Sequence, residues 1–193
     1  MKTVEFNDML RTNRIYLFTL ADAMRLIGKP KQYTSLFLSR NKKIRMATRG
    51  LYYTEDATEY EVASAILNPS YISLISALRF HNLTEQIPHV IYVVSYKRHR
   101  PLPDLNGYGV EFVTINKRMF YGYEKIDGAT VATPEKAVVD MLYLNRFAEY
   151  AYEAIEEGRV DSKKLLYYAV MSNDKRLIRA VKVKLSGYKE VGE

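Results

Sequence analysis

A chain of 193 residues, 48% hydrophobic and 26% charged, can bury one sizeable core or two modest ones and has the balance of a globular protein. It contains no cysteine, which excludes disulfides, thiolate nucleophiles and cysteine-ligated zinc, and its three histidines, His81, His89 and His99, form no metal-ligand spacing. The net charge of +7 is unevenly spread: residues 1–54 hold 11 Lys and Arg against 3 Asp and Glu, whereas residues 55–193 hold 18 against 19, so the first segment calls for an anionic partner, nucleic acid foremost.

Phe6, Met9 and Leu10 fall at i, i+3, i+4 and predict a short amphipathic helix, followed by a brief strand over Ile15 to Thr19. Thr19 is placed to cap the next helix, with Asp22 in its first turn and Leu20, Ala23, Met24 and Ile27 as its buried stripe. Gly28 ends that helix and Pro30 opens another, expected over Lys31 to Asn41. Two helices joined by a three-residue, glycine-containing turn make a helix-turn-helix.

The phase of the second helix has two solutions. One buries Tyr33, Leu36, Phe37 and the stem of Arg40; the other buries Leu38 and turns Leu36 outward. In both, Lys31, Gln32, Thr34, Ser35 and Ser39 are expected to face out, and these are donors and acceptors of the kind that read base edges and phosphates. "KIRMA" and "GLYYT" then pair as two strands about a turn near Gly50, which is the wing of a winged helix. Lys42, Lys43 and Arg45 lie at its base and Arg49 at its tip, where phosphates and a minor groove would be met. These nine residues are the candidate DNA-binding set. A winged helix used only for protein contacts, or a basic surface that merely solubilises, are the competing readings.

"TEDATEY", residues 54–60, reads as a linker, so the expected domains are 1–54 and 55–193. Beyond it, "EYEVASAIL" predicts a helix that stops at Asn68-Pro69, and "SYISLISALRFHNL" a helix starting near Ser73. "HVIYVVSY", 89–96, is a continuous apolar run expected as a buried central strand. Strands are also expected over 108–116 and 118–126, joined by a tight turn at Asn116-Lys117, and over 129–132; the rest is helical. The class is α+β: a winged helix-turn-helix, then a small antiparallel or mixed sheet surrounded by helices.

"TPEKAVVD", 133–140, holds Glu135, Lys136 and Asp140, residue types that a metal-dependent nuclease uses to hold Mg²⁺ and activate water. Glu135 and Lys136 are adjacent rather than separated by one residue, and on a helix they point about 100° apart. Helix capping accounts for the same residues: Thr133 as N-cap, Pro134 first, Glu135 at the positive end, and Lys136 with Asp140 as an i, i+4 pair. "YKRHRP", 96–101, and "NKR", 116–118, are basic clusters at strand ends, open to a nucleic acid or an acidic surface. No catalytic residue, metal or cofactor is expected. No apolar run reaches bilayer length and "MKTVEFNDML" lacks a signal peptide's apolar block, so the cytoplasm is the expected location.

Three segments, "TRGLYY" (48–53), "SYISLISALRFHNL" (70–83) and "ATPEKAVVDML" (132–142), resemble the AbiEi-type antitoxins and transcriptional regulators of type IV toxin–antitoxin systems. The resemblance implies an N-terminal winged helix bound to the operon's own promoter, an autorepressor. It also implies a C-terminal domain that opposes a nucleotidyltransferase toxin. Residues 31–49 match the DNA-binding part, and "TPEKAVVD" matches a signature with a structural role. Asn41-Lys42-Lys43 departs from the pattern, since a glycine is usual between helix and wing. A nucleic-acid enzyme with a nuclease-like C-terminal domain is the alternative.

Overall fold

The computed structural model describes residues 2–189, which fall into two compact units that divide between Val62 and Ala63. Among the described residues the chain is mixed α+β, with nine α-helices, a three-stranded sheet and a six-stranded mixed sheet. No helix among them is long and apolar enough to cross a membrane.

The first unit is built from α1 (Thr3–Thr12), β1 (Leu17–Thr19), α2 (Leu20–Ile27), α3 (Lys31–Arg40), β2 (Ile44–Thr48) and β3 (Leu51–Thr54). Its antiparallel sheet has the order β1-β3-β2, with Phe18 opposite Tyr52 on one side and Met46 opposite Tyr52 on the other. A bulge between Met46 and Thr48 offsets the end of the hairpin. Phe6 and Leu10, one helical turn apart, carry α1 onto Phe18, Ala23, Ile27, Leu38, Ile44 and Tyr52. Phe6 sits at the centre, edge-on to both Phe18 and Phe37 at 6.0 and 5.4 Å.

Local chemistry sets the helix ends. The Thr19 hydroxyl accepts from the Asp22 N–H at 3.2 Å while the Asp22 carboxylate accepts from the Thr19 N–H at 2.9 Å, a reciprocal capping box. The Thr19 hydroxyl also donates to the Asp22 carboxylate at 2.6 Å, and that bond, followed by the one from the Thr19 N–H, holds the Asp22 carboxyl below its ordinary pKa. Gly28 ends α2 at φ 68°, where its N–H donates to the Met24 carbonyl. The end of α3 lacks a glycine and uses an amide pair instead. Asn41 is buried; its Nδ2 donates to Asn7 at 2.7 Å, and its Oδ1 accepts from the Asn7 amide and from the Lys43 N–H. This pins the turn after α3 to α1.

In the second unit the order is β6-β7-β5-β4-β9-β8, formed by β4 (Tyr71–Ile72), β5 (Val90–Ser95), β6 (Leu102–Leu105), β7 (Tyr108–Thr114), β8 (Tyr123–Ile126) and β9 (Ala129–Ala132). β5 runs parallel to β7 and β4 parallel to β9; the other neighbours are antiparallel. β5 is interior, as its apolar run predicts. α4 (Glu59–Ile66) spans the division between the units. α5 (Leu74–Phe80), α6 (Pro134–Leu144), α7 (Ala148–Glu156), α8 (Ser162–Met171) and α9 (Lys175–Lys189) complete the fold, with α6 packed against α5, α7, α8 and α9.

One expected strand is corrected. Residues 118–126 do not form a single strand beside 108–116. Asn116 starts a 3-10 turn over Lys117–Met119, its side chain accepting from the Arg118 N–H at 3.0 Å, and the turn drives Met119 into the core. Only Tyr123–Ile126 is extended, and it pairs with β9. Gly122, at φ 72°, lies where a Cβ would come within 3.1 Å of Lys136 and Tyr168, so the chain crosses α6 closely there.

α6 begins as its sequence predicts. Thr133 caps it by accepting from the Lys136 N–H, and Pro134 is its first residue. Glu135 is buried; it accepts from the Asp161 N–H at 3.2 Å and pairs with Lys164 at 3.0 Å. Burial pushes the Glu135 carboxyl up, but hydrogen bonds from its own N–H, Lys164 and the Asp161 N–H outweigh this and hold its pKa below 4.5. The ionised form therefore stabilises the fold above about pH 4.5, and that contribution is lost as pH falls through the depressed value. Glu135→Gln should cost stability at neutral pH and progressively less in acid. Urea midpoints of both proteins from neutral to acid pH check this; a gap independent of pH contradicts it.

Candidate nucleic-acid interface

The two phases available to α3 are resolved by burial. Thr34 and Leu38 face the core and Leu36 faces out, 51% exposed, with Tyr33 and Arg40 also exposed and Phe37 half-buried against the core. One expected outward residue is thereby corrected. Thr34 is fully buried, and its hydroxyl donates to the Lys29 carbonyl at 3.1 Å, tying the helix to the turn before it. Thr34 lies one turn before Leu38, so burying Leu38 carries Thr34 inward with it.

Of the remaining candidates, Lys31, Gln32 and Ser39 are exposed and Ser35 is half-buried on α3. Ser39 donates its hydroxyl to the Leu36 carbonyl, which leaves its oxygen able to accept. Lys42 and Lys43 are exposed after the helix, Arg45 is exposed on β2, and Arg49 is exposed in the turn of the hairpin beside Gly50 at φ 85°. The Leu20 N–H donates to the Gly50 carbonyl at 3.0 Å, so the turn is fastened to the start of α2. α3, the start of α2 and the hairpin turn are thus held by one core and one sheet.

Two features of the charge were not legible in the sequence. Lys43 pairs with Glu55 at 2.9 Å, and a shallow cleft of about 60 Å³ beside them is also lined by Asp8, Arg11 and Asp56. Lys43 is therefore already partly neutralised, unlike Lys31, Arg40 and Arg49, for which the structure gives no ion pair among the described residues. In addition, the compact unit ends at Val62 and so takes in Glu55, Asp56, Glu59 and Glu61. Its balance is 11 basic against 7 acidic residues, +4 rather than +8. The local arrangement, more than the total, distinguishes this surface. Arg40, assigned to the core by one phase of the helix, joins the exposed face.

The Glu135, Lys136 and Asp140 group is differently placed. Lys136 and Asp140 are both 0% exposed and form an ion pair. Asp140 also accepts from the Tyr71 hydroxyl at 3.0 Å and the Ser73 hydroxyl at 2.8 Å. The Lys136 ammonium lies over the rings of Tyr71 and Tyr121 at 5.5 and 4.8 Å. Burial lowers the pKa of Lys136 against the opposing pull of Asp140, and burial, then the Asp140 charge, raises that of Tyr71. A substrate cannot reach these groups without opening the core. No group of three or more His, Cys, Asp or Glu among the described residues is arranged to hold a metal ion.

The basic clusters at 96–101 and 116–118 are surface features. Lys97 donates to the Asn68 carbonyl at 2.7 Å, and Lys117 sits 5.7 Å over the Tyr96 ring. Comparison with protein-family models and with curated proteins finds no match.

Proposed function

We propose that the first unit is a winged helix-turn-helix that binds double-stranded DNA, and that the chain is a transcriptional regulator. The observation that carries this reading is the outward face of α3, where Gln32, Ser39 and Arg40 are exposed around Leu36, with Lys31 exposed at the start of the helix and Arg49 exposed in the hairpin turn. The order α1-β1-α2-α3-β2-β3, with a sheet arranged β1-β3-β2 and a three-residue turn between α2 and α3, is the arrangement a winged helix requires. In this reading α3 enters the major groove and Arg49 meets the backbone or the minor groove.

The resemblance of "TRGLYY", "SYISLISALRFHNL" and "ATPEKAVVDML" to AbiEi-type proteins supports a narrower version: an autorepressor of its own promoter and an antitoxin, partnered by a nucleotidyltransferase toxin and acting in the cytoplasm. Co-purification with a nucleotidyltransferase encoded beside it tests the second half, and failure to recover one would remove the antitoxin role. The enzyme alternative has less support, because it needs Lys136 and Asp140 in contact with substrate and both are buried.

The DNA reading is tested by binding of the full chain to promoter and scrambled duplexes across a salt series. Lys31→Ala and Arg49→Ala should each flatten the salt dependence by about one unit of slope, since each phosphate contact releases about one counterion. Lys43→Ala should change the slope less, because Glu55 already balances Lys43. Gln32→Ala should narrow the gap between specific and scrambled DNA by ~1–3 kcal/mol. Unchanged slopes in both Lys31→Ala and Arg49→Ala would contradict the interface.

A further inference from the structure

Within the DNA-binding reading, on which this inference rests, we infer that Leu36 reads thymine by packing against its 5-methyl group. Thr34 and Leu38 are each two residues from Leu36, about 200° of helix rotation in either sense, and both are buried. Leu36 therefore points almost directly away from the core. It lies between Gln32, one turn before it, and Ser39 and Arg40, about one turn after it, all exposed. Single exposed leucines are ordinary on protein surfaces; this one occupies the middle of a face whose other members are hydrogen-bonding or cationic. Tyr33 is also exposed, but its ring stacks on Phe37 at 6.4 Å and is fixed at the flank of the helix. Leu36 has no such partner, and 51% of its surface is available to be covered.

The occupant follows from the charge around it. Arg40 beside it on the same face, with Lys31 at the start of the helix and Arg49 in the hairpin turn of the same unit, favours a polyanion over an apolar protein surface. In a major groove the only apolar group on a base edge is the thymine methyl, and an aliphatic side chain is its ordinary partner. Gln32, one turn away on the same face, can hydrogen-bond a neighbouring adenine edge, so the pair would favour sites with adjacent A·T pairs.

The test uses the full chain and the duplex it enriches from a random-sequence pool. That duplex is made with thymine and again with deoxyuridine, which keeps every hydrogen-bonding group and lacks only the methyl. The wild type should bind the uracil duplex about fourfold more weakly for each methyl contacted. Leu36→Ala, a substitution outside the core, should bind both duplexes equally, and Leu36→Met should restore part of the difference. A wild type that enriches a duplex yet binds both forms alike would overturn the inference while leaving the DNA-binding reading intact. Equal uracil penalties in wild type and Leu36→Ala would overturn it in the same way. Failure to enrich any duplex would overturn both.

Discussion

Asp140→Ala is expected to lower the stability of the second unit by about 3–5 kcal/mol, the cost of stranding a buried charge. The substitution leaves the Lys136 ammonium without its carboxylate and takes the acceptor from the Tyr71 and Ser73 hydroxyls together. What remains for Lys136 is the faces of Tyr71 and Tyr121, a weaker form of compensation. Lys136→Met should cost less, because the stranded Asp140 keeps both hydroxyl donors. Replacing both members by apolar residues should recover much of the loss, since an ion pair gains little over good apolar packing at the same place. Domains of this size are stable by about 5–15 kcal/mol in all, so the effect is large in a denaturant titration. A loss under about 1 kcal/mol for Asp140→Ala would mean that solvent reaches the pair.

Phe6→Ala should be as severe for the first unit. Phe6 is fully buried and meets Phe18 and Phe37 edge-on, so truncation removes both ring contacts and opens a cavity beneath α1. The expected cost is about 3–5 kcal/mol, against a total of about 3–9 kcal/mol for a unit this small. That leaves the first unit marginal, with its unfolding midpoint sharply lowered, while the second keeps its own transition. DNA binding should fall with the folded fraction of the first unit although no residue of the proposed DNA face has changed. Val4→Ala, on the same helix but 69% exposed, should stay within about 0.5 kcal/mol of wild type. Hydrogen exchange along the chain distinguishes the two; protection of α1 to β3 retained in Phe6→Ala would contradict the packing account.

The parts of the fold that were legible in the sequence are those set by neighbours in the chain. Thr19 with Asp22, Gly28, and Thr133 with Pro134 each mark a helix end through a bond that closes within a few residues. The run from Val90 to Ser95 is apolar because the strand is interior. The parts that escaped depend on distant partners. β4 is two residues long and is ordered by β5 and β9, so a segment read as the approach to a helix holds a strand. β6 contains Pro103 and follows a basic cluster, which disguises it as loop. The phase of α3 was ambiguous because aromatic and aliphatic residues lie on both sides of it, and Thr34 is polar yet buried because the Lys29 carbonyl satisfies its hydroxyl. Lys136 and Asp140 read as an i, i+4 helix pair, but their burial was not legible, because it depends on Tyr71 and Ser73, 69 and 67 residues before Asp140.

The same distinction separates the candidate interface from the chemistry first suspected at residues 135–140. Short-range pattern located the hairpin turn and, apart from Thr34, the short polar residues of α3 that reach the surface, whereas the observed burial fixed the phase that turns Leu36 and Arg40 outward. Long-range packing withdrew the carboxylates from solvent and gave Lys43 its partner in Glu55.

The central claim is that duplex DNA lies against α3 and the β2–β3 turn, and amide chemical-shift mapping of the full chain on titration with promoter duplex tests it most directly. The account predicts that the largest changes fall on Lys31, Gln32, Ser35, Leu36, Ser39 and Arg40 and on residues 48–51, with little change in 63–189. Changes concentrated in the second unit, or a spectrum unaltered by saturating duplex at low salt, would contradict it.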